Sequence, residues 1–593
     1  MTYIQQAKAG RLVVLQSKAQ SLHYQKFRRE ESDLVLPIGP GAMYETEICG
    51  WRYCSLGDLW SDEQYQIEKE INENLLDELI KNLNQYSLCW KPELNLEIGN
   101  YYAFQLWVII GQIQYNNFIV RSIIKMLKPE KVLCYTKANP VPFLKLRPDP
   151  DCLFGEVLGR SRLNKDGVCE FIKINERVNQ VSSRQRLLSL LPIPLRKFLS
   201  DIRRKNALKN SKKAMKKLMV VGGSGDWVKL SCYQEFNEDF RLCMPPEIKS
   251  GPKLKASQEL VELLNASILR DQLIPYDISS LASAIFSDMH NFANQVRDID
   301  LLINKYDALV TAVLVYPQDN FFAHRAALSN LPVLVWQHGE KGQNGFDPTS
   351  IYTELFYATD YFAYAPVVVE QYKSWIGKYR LRNVIATGSI DRLVKWKGGD
   401  SILYATGKWF KTTVAGDPDR RLFHAHMKIL SYLNELDNRY NVILRANNTD
   451  RLNQIPYQFE NITIEYDRSF TDCLKTAELV ILDTPATTLI EACSTKVAIF
   501  ALGGRTEYTD EFLAAVKRRV VWAETPEDLL LYVDEYINMG LYPANTNDTT
   551  FLSQYGSNET SVKIAKIVKD AVSESIKFNK LSENGGNHDI TIL

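Results

Sequence analysis

The chain has 593 residues, of which 45% are hydrophobic and 24% are charged. A chain of this length and composition is globular and too long for a single core. Its 71 basic and 70 acidic residues leave a formal charge of +1, so the overall charge predicts no polyanion partner. The ten cysteines are scattered and form no C-x-x-C pair. This excludes a zinc ribbon and, without a secretory leader, predicts reduced thiols in a cytosolic protein.

Short apolar runs alternate with helical patterns along most of the chain, which predicts parallel sheets covered by helices. In the first part the predicted strands are RLVVLQS, KVLCYT, KLMVVGG, DALVTAVLVYP, LPVLVWQHG and NVIATGS. The predicted helices include SDEQYQIEKEINENLLDELIKNL, SSLASAIFSDMHNFANQV and NFFAHRAALSN. The most apolar segment, YYAFQLWVIIGQIQYNNFIV, is interrupted by glutamines and asparagines, so we expect a buried helix that does not cross a bilayer.

A second strand and helix series follows the polar connector LVKWKGGD. Its predicted strands are SILYATGKW, NVILRANN, ITIEY, AELVILDTP and VAIFALGG. We therefore predict an α/β fold with two Rossmann-like domains that face a cleft. The N-terminal domain is expected over residues 1–392, the C-terminal domain over residues 393–577, and a flexible tail over residues 578–593.

A basic insertion interrupts the α/β pattern at residues 184–217, where the apolar run LLSLLPIPL precedes a dense cluster of positive charges. Basic residues beside apolar ones suit an anionic membrane surface, which predicts a cytoplasmic protein held peripherally at the inner face of the plasma membrane. The alternative is a solvated surface. No aromatic residues alternate with the lysines, so no nucleic-acid partner is predicted. The cluster consists of Arg196, Lys197, Arg203, Arg204, Lys205, Lys209, Lys212, Lys213, Lys216 and Lys217.

The segment AELVILDTPATTLIEA predicts a strand that ends in Asp483 and a helix whose first turn carries Thr487 and Thr488. The free N–H groups of a helix start favour phosphate groups. Glu491 follows Thr487 by four residues and so lies on the same face of the helix. There its carboxylate can accept hydrogen bonds from ribose hydroxyls. The alternative is an ordinary capped helix with a surface glutamate.

Four elements of the second half, TGSIDRL, SILYATGKW, NVILRANNTD and DTPATTLIEA, occur in one order. Together they resemble the C-terminal half of bacterial GT-B glycosyltransferases of surface polysaccharide synthesis. The likeness is to CDP-glycerol glycerophosphotransferases and to the capsule and lipopolysaccharide transferases that use CMP-activated acidic sugars. A strand ending in Gln-His-Gly, at residues 337–339, also resembles that group. The resemblance covers Tyr306 to Leu502 and implies a nucleotide-activated donor on the second domain.

Two departures from that pattern concern the donor phosphates. Many of these transferases have a His-Pro pair after the strand that corresponds to NVILR, where this chain has Ala446 and Asn447. In place of a P-T-W-R run it has T-G-K, which ends in Lys408. We therefore predict that Lys408 and Arg445 hold the donor phosphates through charge-assisted hydrogen bonds.

The resemblance gives the stretch VLVWQHGEKGQNG a role on the acceptor side. His338 would close a strand at the carboxyl edge of the first domain, where a neutral imidazole can take the proton of an acceptor hydroxyl. Glu340 is expected to orient this imidazole or to bind the acceptor. Gln337, Gly339 and Gly342 are expected to line the acceptor side, since glycine lets the backbone approach a substrate. The alternative is a strand-end histidine bonded to a backbone carbonyl.

Other candidate residues are weaker. Asp226, in the loop GGSGDW, is a second candidate base; the loop matches no phosphate-binding motif, and we expect a flexible acceptor-side loop. His424 and His426 are two residues apart on a predicted helix and so point to different faces, which argues against a shared metal. His324 is expected to serve packing. No D-x-D pair follows a predicted strand, so neither a metal nor another cofactor is predicted.

The sequence thus predicts a metal-independent, inverting glycosyltransferase. It would transfer a sugar, or a related group, from a nucleotide-activated donor to a glycan or lipid-linked acceptor during synthesis of a bacterial surface glycan. One alternative is a nucleotide-sugar epimerase of the same fold, although an epimerase has no use for a membrane-binding insertion. Another is a catalytically silent scaffold subunit of a glycan assembly complex, which the missing His-Pro pair leaves open.

Overall fold

In the computed structural model, three parallel sheets follow one another along the chain. The described residues are 10–55, 59, 62–137, 158, 162–174, 216–223, 225–249, 251–268, 278–339, 341, 350–407, 418–437, 440–445, 459–465, 467–485, 487–503, 508–557 and 559–584.

The first sheet has four strands in the order β2-β1-β3-β4. Two helices, α1 and α2, contact each other on one of its faces, and α3 and α4 cover the other face through a large apolar core. The strands are β1 (Arg11–Leu15), β2 (Leu34–Pro37), β3 (Lys131–Lys137) and β4 (Cys169–Ile174). The helices are α1 (Lys18–Phe27), α2 (Pro40–Ile48), α3 (Asp62–Trp90), α4 (Ile98–Ser122) and the short α5 (Arg162–Lys165).

The second sheet has six strands in the order β10-β9-β8-β7-β5-β6. Every residue of β7, β8 and β9 is buried, as expected for strands whose two faces are both covered by helices. The strands are β5 (Lys216–Val220), β6 (Phe240–Cys243), β7 (Ala308–Thr311), β8 (Val333–Trp336), β9 (Asp360–Ala363) and β10 (Asn383–Ala386). The helices are α6 (Gly225–Leu230), α7 (Gln234–Asn237), α8 (Gln258–Ile268), α9 (Ser279–Ile303), α10 (Pro317–Leu328) and α11 (Pro366–Tyr372).

The third sheet has six strands in the order β13-β12-β11-β14-β15-β16, which is the strand order of the dinucleotide-binding Rossmann fold. The strands are β11 (Ser401–Ala405), β12 (Asn441–Arg445), β13 (Ile462–Glu465), β14 (Ala477–Leu482), β15 (Ala498–Leu502) and β16 (Val521–Ala523). The helices are α12 (Pro418–Glu435), α13 (Phe470–Leu474), α14 (Thr487–Cys493), α15 (Asp510–Val516), α16 (Pro526–Met539), α17 (Thr550–Tyr555) and α18 (Ser561–Asn584).

The last helix, α18, leaves the third sheet and packs against the second. Its buried residues Ile564, Val568 and Val572 join an apolar cluster with Leu218 of β5 and Trp227 of α6. The flexible tail predicted over residues 578–593 is wrong at its start, because α18 continues to Asn584. Within that stretch, the Asn579 side chain accepts a hydrogen bond from Arg382 at 3.3 Å, and only residues 585–593 lie outside the described range.

The prediction of an α/β fold with Rossmann-like parallel sheets is confirmed by the strand orders of the second and third sheets. The range 1–392 holds two sheets, a separation that the sequence analysis does not anticipate. The domain boundary at residues 392/393 stays a prediction. Within the described residues, no helix is both long and apolar enough to cross a membrane, and α4 is a buried helix as predicted.

The basic insertion meets the described structure only at its end. Lys216 and Lys217 are the first two residues of strand β5, and the backbone N–H of Lys217 donates to the Asp307 carboxylate at 2.9 Å. These two residues therefore belong to the second sheet. The remaining basic residues of the cluster lie outside the described residues.

Candidate functional site

Two switch points, where the strand order of a sheet reverses, define the candidate site. Open parallel sheets bind ligands outside the carboxyl ends of the strands at such points. The switch point lies between β5 and β7 in the second sheet and between β11 and β14 in the third. Asp226 follows β5, His338 follows β8 beside β7, and Asp483 follows β14. The sequence-predicted residues therefore gather at the carboxyl edges of two sheets.

The turn after β8 presents His338 outward. The buried Gln337 fixes this turn, because its Oε1 accepts from the backbone N–H of Tyr364 at 2.8 Å and its Nε2 donates to the Gly339 carbonyl at 2.8 Å. Gly339 has a φ of +70°, a left-handed conformation that favours glycine. His338 is exposed, and the described residues give its ring no hydrogen bond. The geometry thus favours a structural role for Gln337 in place of the predicted acceptor contact.

A buried ion pair anchors the chain just beyond this turn. The Lys341 ammonium lies 3.2 Å from the Glu354 carboxylate and donates to the Ser350 hydroxyl at 2.8 Å. The hydroxyl of Tyr361, on β9, donates to the other oxygen of Glu354 at 2.6 Å. The side chain of Glu354 is only 2% exposed, so this network holds the segment after His338 against the sheet. Sequence reasoning gave no role to Lys341.

Asp226, the second candidate base, already has partners at both carboxylate oxygens. The Tyr364 hydroxyl donates to Oδ2 at 2.6 Å, and the Lys229 ammonium lies 3.4 Å from Oδ1. Its carboxylate is therefore held in place by a hydroxyl and an ammonium group. His338 has no such constraint in the described structure, so the geometry favours His338 as the base.

The first two glycines of the loop GGSGDW are closely packed, in contrast to the flexible loop expected from sequence. Gly222 has a φ of +62°, and a Cβ there would lie 2.4 Å from the Val313 carbonyl oxygen. The backbone N–H of Gly223 donates to the same carbonyl at 3.0 Å. The two glycines are therefore explained by contact with the segment after β7 rather than by a phosphate group.

Asp483 joins the ends of the two strands that flank the switch point of the third sheet. Its side chain is fully buried and accepts hydrogen bonds from the Tyr404 hydroxyl at 2.9 Å, the Gly407 backbone N–H at 2.5 Å and the Thr484 hydroxyl at 3.1 Å. These contacts tie the end of β14 to the end of β11. The donor-binding role predicted for Asp483 is replaced by a structural one, because its carboxylate faces protein donors and is shielded from solvent.

Glu491 lies where the two sheets meet. Its Oε1 accepts from the Arg392 guanidinium at 2.6 Å, and its Oε2 accepts from the Thr471 hydroxyl at 3.0 Å. Arg392 belongs to the segment that follows β10 of the second sheet, whereas Thr471 and Glu491 lie on α13 and α14 of the third. Each carboxylate oxygen can accept two hydrogen bonds. Glu491 therefore retains capacity for a ligand, as its predicted role requires.

Electrostatics strengthens this contact. Burial alone would lower the pKa of Arg392, but the nearby Tyr364, Glu491 and Asp226 outweigh burial and raise it. Arg392 therefore stays charged beside the Glu491 carboxylate of the third sheet. Its Nε also donates to the Ser389 hydroxyl at 3.1 Å, which fixes the guanidinium on the side of the second sheet.

The predicted phosphate contacts are only partly described. Thr487 and Thr488 are half-buried at the start of α14, directly after the Asp483 turn, and Arg445 is half-buried at the carboxyl end of β12. Both positions lie at the carboxyl edge of the third sheet, as the sequence predicts. Glu340, Gly342 and Lys408 lie outside the described residues, so their roles stay predictions.

Two other histidines, His426 and His324, serve packing in the described structure. His426 is buried on α12, and its Nδ1 lies 2.9 Å from the Tyr404 hydroxyl. His324 is buried on α10, with its Nδ1 2.6 Å from the Tyr101 hydroxyl, and burial lowers its pKa to about 4. The described part of the chain contains no group of three or more His, Cys, Asp or Glu side chains that could hold a metal ion.

Sequence reasoning missed three residues that shape the site. Arg392 stands inside the motif TGSIDRL, so the motif could have signalled it. Thr471 and Tyr364 had no such signal, because each is recognised only through a long-range contact, to Glu491 and Asp226 respectively.

Comparisons with known proteins assign no family, since no family model and no curated protein matches the chain. A Rickettsia africae glycosyltransferase structure is 13% identical, with a TM-score of 0.35, over 62% of this chain and 100% of that one. A UDP-forming α,α-trehalose-phosphate synthase from Burkholderia xenovorans is 10% identical, with a TM-score of 0.32, over 61% of this chain and 98% of that one. S. aureus TarM, solved with UDP, is 13% identical, with a TM-score of 0.29, over 49% of this chain and 58% of that one. These neighbours are GT-B glycosyltransferases, but the fold assignment here rests on strand order alone.

Proposed function

We propose that the protein is a glycosyltransferase that binds a nucleotide-activated sugar at the third sheet and its acceptor at the second. One observation carries the proposal. The 2.6 Å contact between Arg392 and Glu491 joins the carboxyl edge of the second sheet to the nucleotide-site helix of the third. The predicted donor half and acceptor half therefore share one junction, as transfer between two bound substrates requires.

The donor would lie at the switch point between β11 and β14. Glu491 would accept hydrogen bonds from the ribose hydroxyls, and the start of α14 would donate backbone N–H groups to phosphate oxygens. Arg445 and Lys408 would contribute charge-assisted hydrogen bonds to the same phosphates. Beside this site, Asp483 ties the end of β14 to the end of β11.

In the transfer step, His338 would act as general base on the acceptor hydroxyl. The acceptor oxygen forms a bond to the anomeric carbon while the bond from that carbon to the donor phosphate oxygen breaks. The hydroxyl proton passes to the imidazole, and the nucleotide leaves with the negative charge, which Arg445 and Lys408 stabilise. A single displacement of this kind inverts the anomeric centre, and it needs no metal in this scheme.

The biological setting is a further part of the proposal. The sequence resemblance supports a bacterial surface glycan as the product and a glycan or lipid-linked acceptor. The basic insertion supports a peripheral position at the cytoplasmic face of the membrane, since each basic residue near an anionic surface contributes about 1 kcal/mol. A nucleotide-sugar epimerase and a silent scaffold subunit remain the competing functions. The exposed His338 favours an enzyme over a scaffold.

A ligand screen tests the proposed function most broadly. The thermal unfolding of the full chain would be followed with UDP, GDP, dTDP, CMP and CDP, and with their sugar conjugates. A ligand bound only by the native state raises the melting temperature by mass action, by an amount that grows with its concentration over Kd. One of these nucleotides is expected to stabilise the protein, and its sugar conjugate to be slowly hydrolysed. A folded protein stabilised by none of them would contradict the proposal.

A further inference from the structure

A chain of contacts runs from Glu491 into the second sheet. Both oxygens of its carboxylate are held, one by Arg392 at 2.6 Å and one by Thr471 at 3.0 Å, and its side chain is only 12% exposed. Two donors at fixed positions set the plane of the carboxylate. Each oxygen can accept a second hydrogen bond, and the direction of that second bond is fixed together with the plane.

Arg392 is fixed on the side of the second sheet, where its Nε donates to the Ser389 hydroxyl at 3.1 Å. Tyr364 and Asp226, which are joined by a hydrogen bond of 2.6 Å, help to raise the pKa of Arg392. Arg392 therefore reaches Glu491 as a charged donor from a fixed position.

Because the ion pair between Arg392 and Glu491 is largely buried, removing either charge should disturb the other side chain. The side chains of Arg392 and Glu491 are 19% and 12% exposed, and Tyr364 and Asp226 are buried. A charge removed from such a pair leaves its partner buried and uncompensated. The Glu491 carboxylate would then turn toward solvent or toward another donor, and its acceptor directions would no longer be set.

We propose that Arg392 is a positioning residue that orients Glu491 for a ribose diol. The inference rests on the proposed function, because it assumes that Glu491 meets a ribose. The inference also predicts which nucleotides the site prefers. A carboxylate oriented at both oxygens selects a nucleotide with both ribose hydroxyls over its 2′-deoxy analogue, since an unpaired buried acceptor is costly.

The test is calorimetric titration with UDP, GDP, dTDP, CMP and CDP, followed by the 2′-deoxy analogue of whichever ribonucleotide binds. The variants are Arg392→Gln, Arg392→Lys, Thr471→Val, Glu491→Gln and the double variant Arg392→Gln/Glu491→Gln. The matched control is the exposed ion pair Arg518–Asp548, at 3.0 Å, removed by Arg518→Gln. Circular dichroism and thermal unfolding establish that each variant is folded.

Arg392→Gln is expected to weaken ribonucleotide binding by roughly 10- to 100-fold, because a hydrogen bond to a charged group contributes about that much to affinity. Binding of the deoxy analogue should be almost unaffected. Arg392→Lys should retain part of the affinity, and the double variant should bind no more weakly than Glu491→Gln alone. Arg518→Gln should bind like the parent. A folded Arg392→Gln that binds and discriminates like the parent, or a parent that binds dTDP more tightly than every ribonucleotide, overturns the inference alone. A parent protein that binds no nucleotide contradicts the proposed function, and the inference with it.

Discussion

Buried polar side chains at strand ends have two kinds of partner in this protein, and the difference decides which of them can meet a substrate. Gln337 and Asp483 bond entirely to protein groups, whereas Glu491 bonds to protein groups and keeps acceptor capacity. His338 stands outside both networks. Since unpaired buried polar groups are costly, strand-end residues that look catalytic in a sequence are often occupied by the backbone beside them.

Gln337 provides a test of this point at the level of one residue. Its replacement by leucine keeps the side-chain size but leaves the backbone N–H of Tyr364 and the carbonyl of Gly339 without their partner. We expect the free energy of unfolding to fall by about 1–3 kcal/mol, the cost of an unsatisfied buried group, in urea titration. Gln258→Leu, at an exposed position on α8, is the control and should change stability by less than about 0.5 kcal/mol. Equal effects at both positions would contradict the structural role of Gln337.

The sequence predicted which strand ends carry the site but not which side chains face a ligand. The hydrophobic runs, their flanking polar residues and the order of motifs were enough to place His338, Asp483 and Glu491 at carboxyl edges. Their partners were not predictable, because Arg392 and Glu491 are separated by 99 residues in the chain. Contacts of this kind depend on how two sheets pack, which no local pattern encodes.

Among the elements, the first sheet is the least expected. It depends on a buried ion cluster at its β1–β2 corner. The Asp33 carboxylate accepts from the Arg11 guanidinium at 2.7 Å and from the Tyr24 hydroxyl at 2.6 Å, so β1, α1 and the start of β2 meet at one side chain. Periodicity predicted strands β1 and β3 but missed β2 and β4, and it gave no reason for a separate sheet.

This cluster predicts how stability depends on pH. Burial alone would raise the pKa of Asp33, but the hydrogen bonds from Arg11 and Tyr24 outweigh it and lower the pKa below its ordinary value. A carboxyl whose pKa is lower in the folded state contributes stability above the unfolded pKa, near 4, and loses it as the pH falls further. Asp33→Asn should therefore cost about 3 kcal/mol at pH 7, and the difference from the parent should shrink below about pH 4. Urea unfolding between pH 7 and pH 3 measures this. A difference that stays constant over that range would contradict the assignment.

At the scale of the whole molecule, α18 joins the end of the chain to the second sheet. The helix leaves the third sheet, buries one face against β5 and α6, and anchors residues beyond 577 through Asn579. The second and third sheets are thereby held by two separate connections, the segment after β10 and α18. The sequence did not indicate the sheet to which α18 returns, because an apolar helix stripe suits any apolar surface.

Two valines of α18 test this docking. Val568 is fully buried in the cluster with Leu218 and Trp227, whereas Val562, one and a half turns earlier, is 50% exposed. Val568→Ala should lower the free energy of unfolding by about 2 kcal/mol through lost burial and a cavity. Val562→Ala should change it by less than about 0.5 kcal/mol. Thermal unfolding of both variants gives the comparison, and equal effects would mean that α18 does not dock as described.

The central claim is that one protein holds a nucleotide site around Glu491 and a general base at His338, on two different sheets. The most direct measurement pairs calorimetric titration of the cognate nucleotide with an assay of sugar transfer, for the parent, His338→Ala and Glu491→Ala. Glu491→Ala should weaken nucleotide binding by about 1.5–3 kcal/mol. His338→Ala should bind the nucleotide like the parent but turn over roughly 10²–10⁴-fold more slowly. A His338→Ala variant that turns over normally, or that loses nucleotide binding instead of rate, would contradict the account.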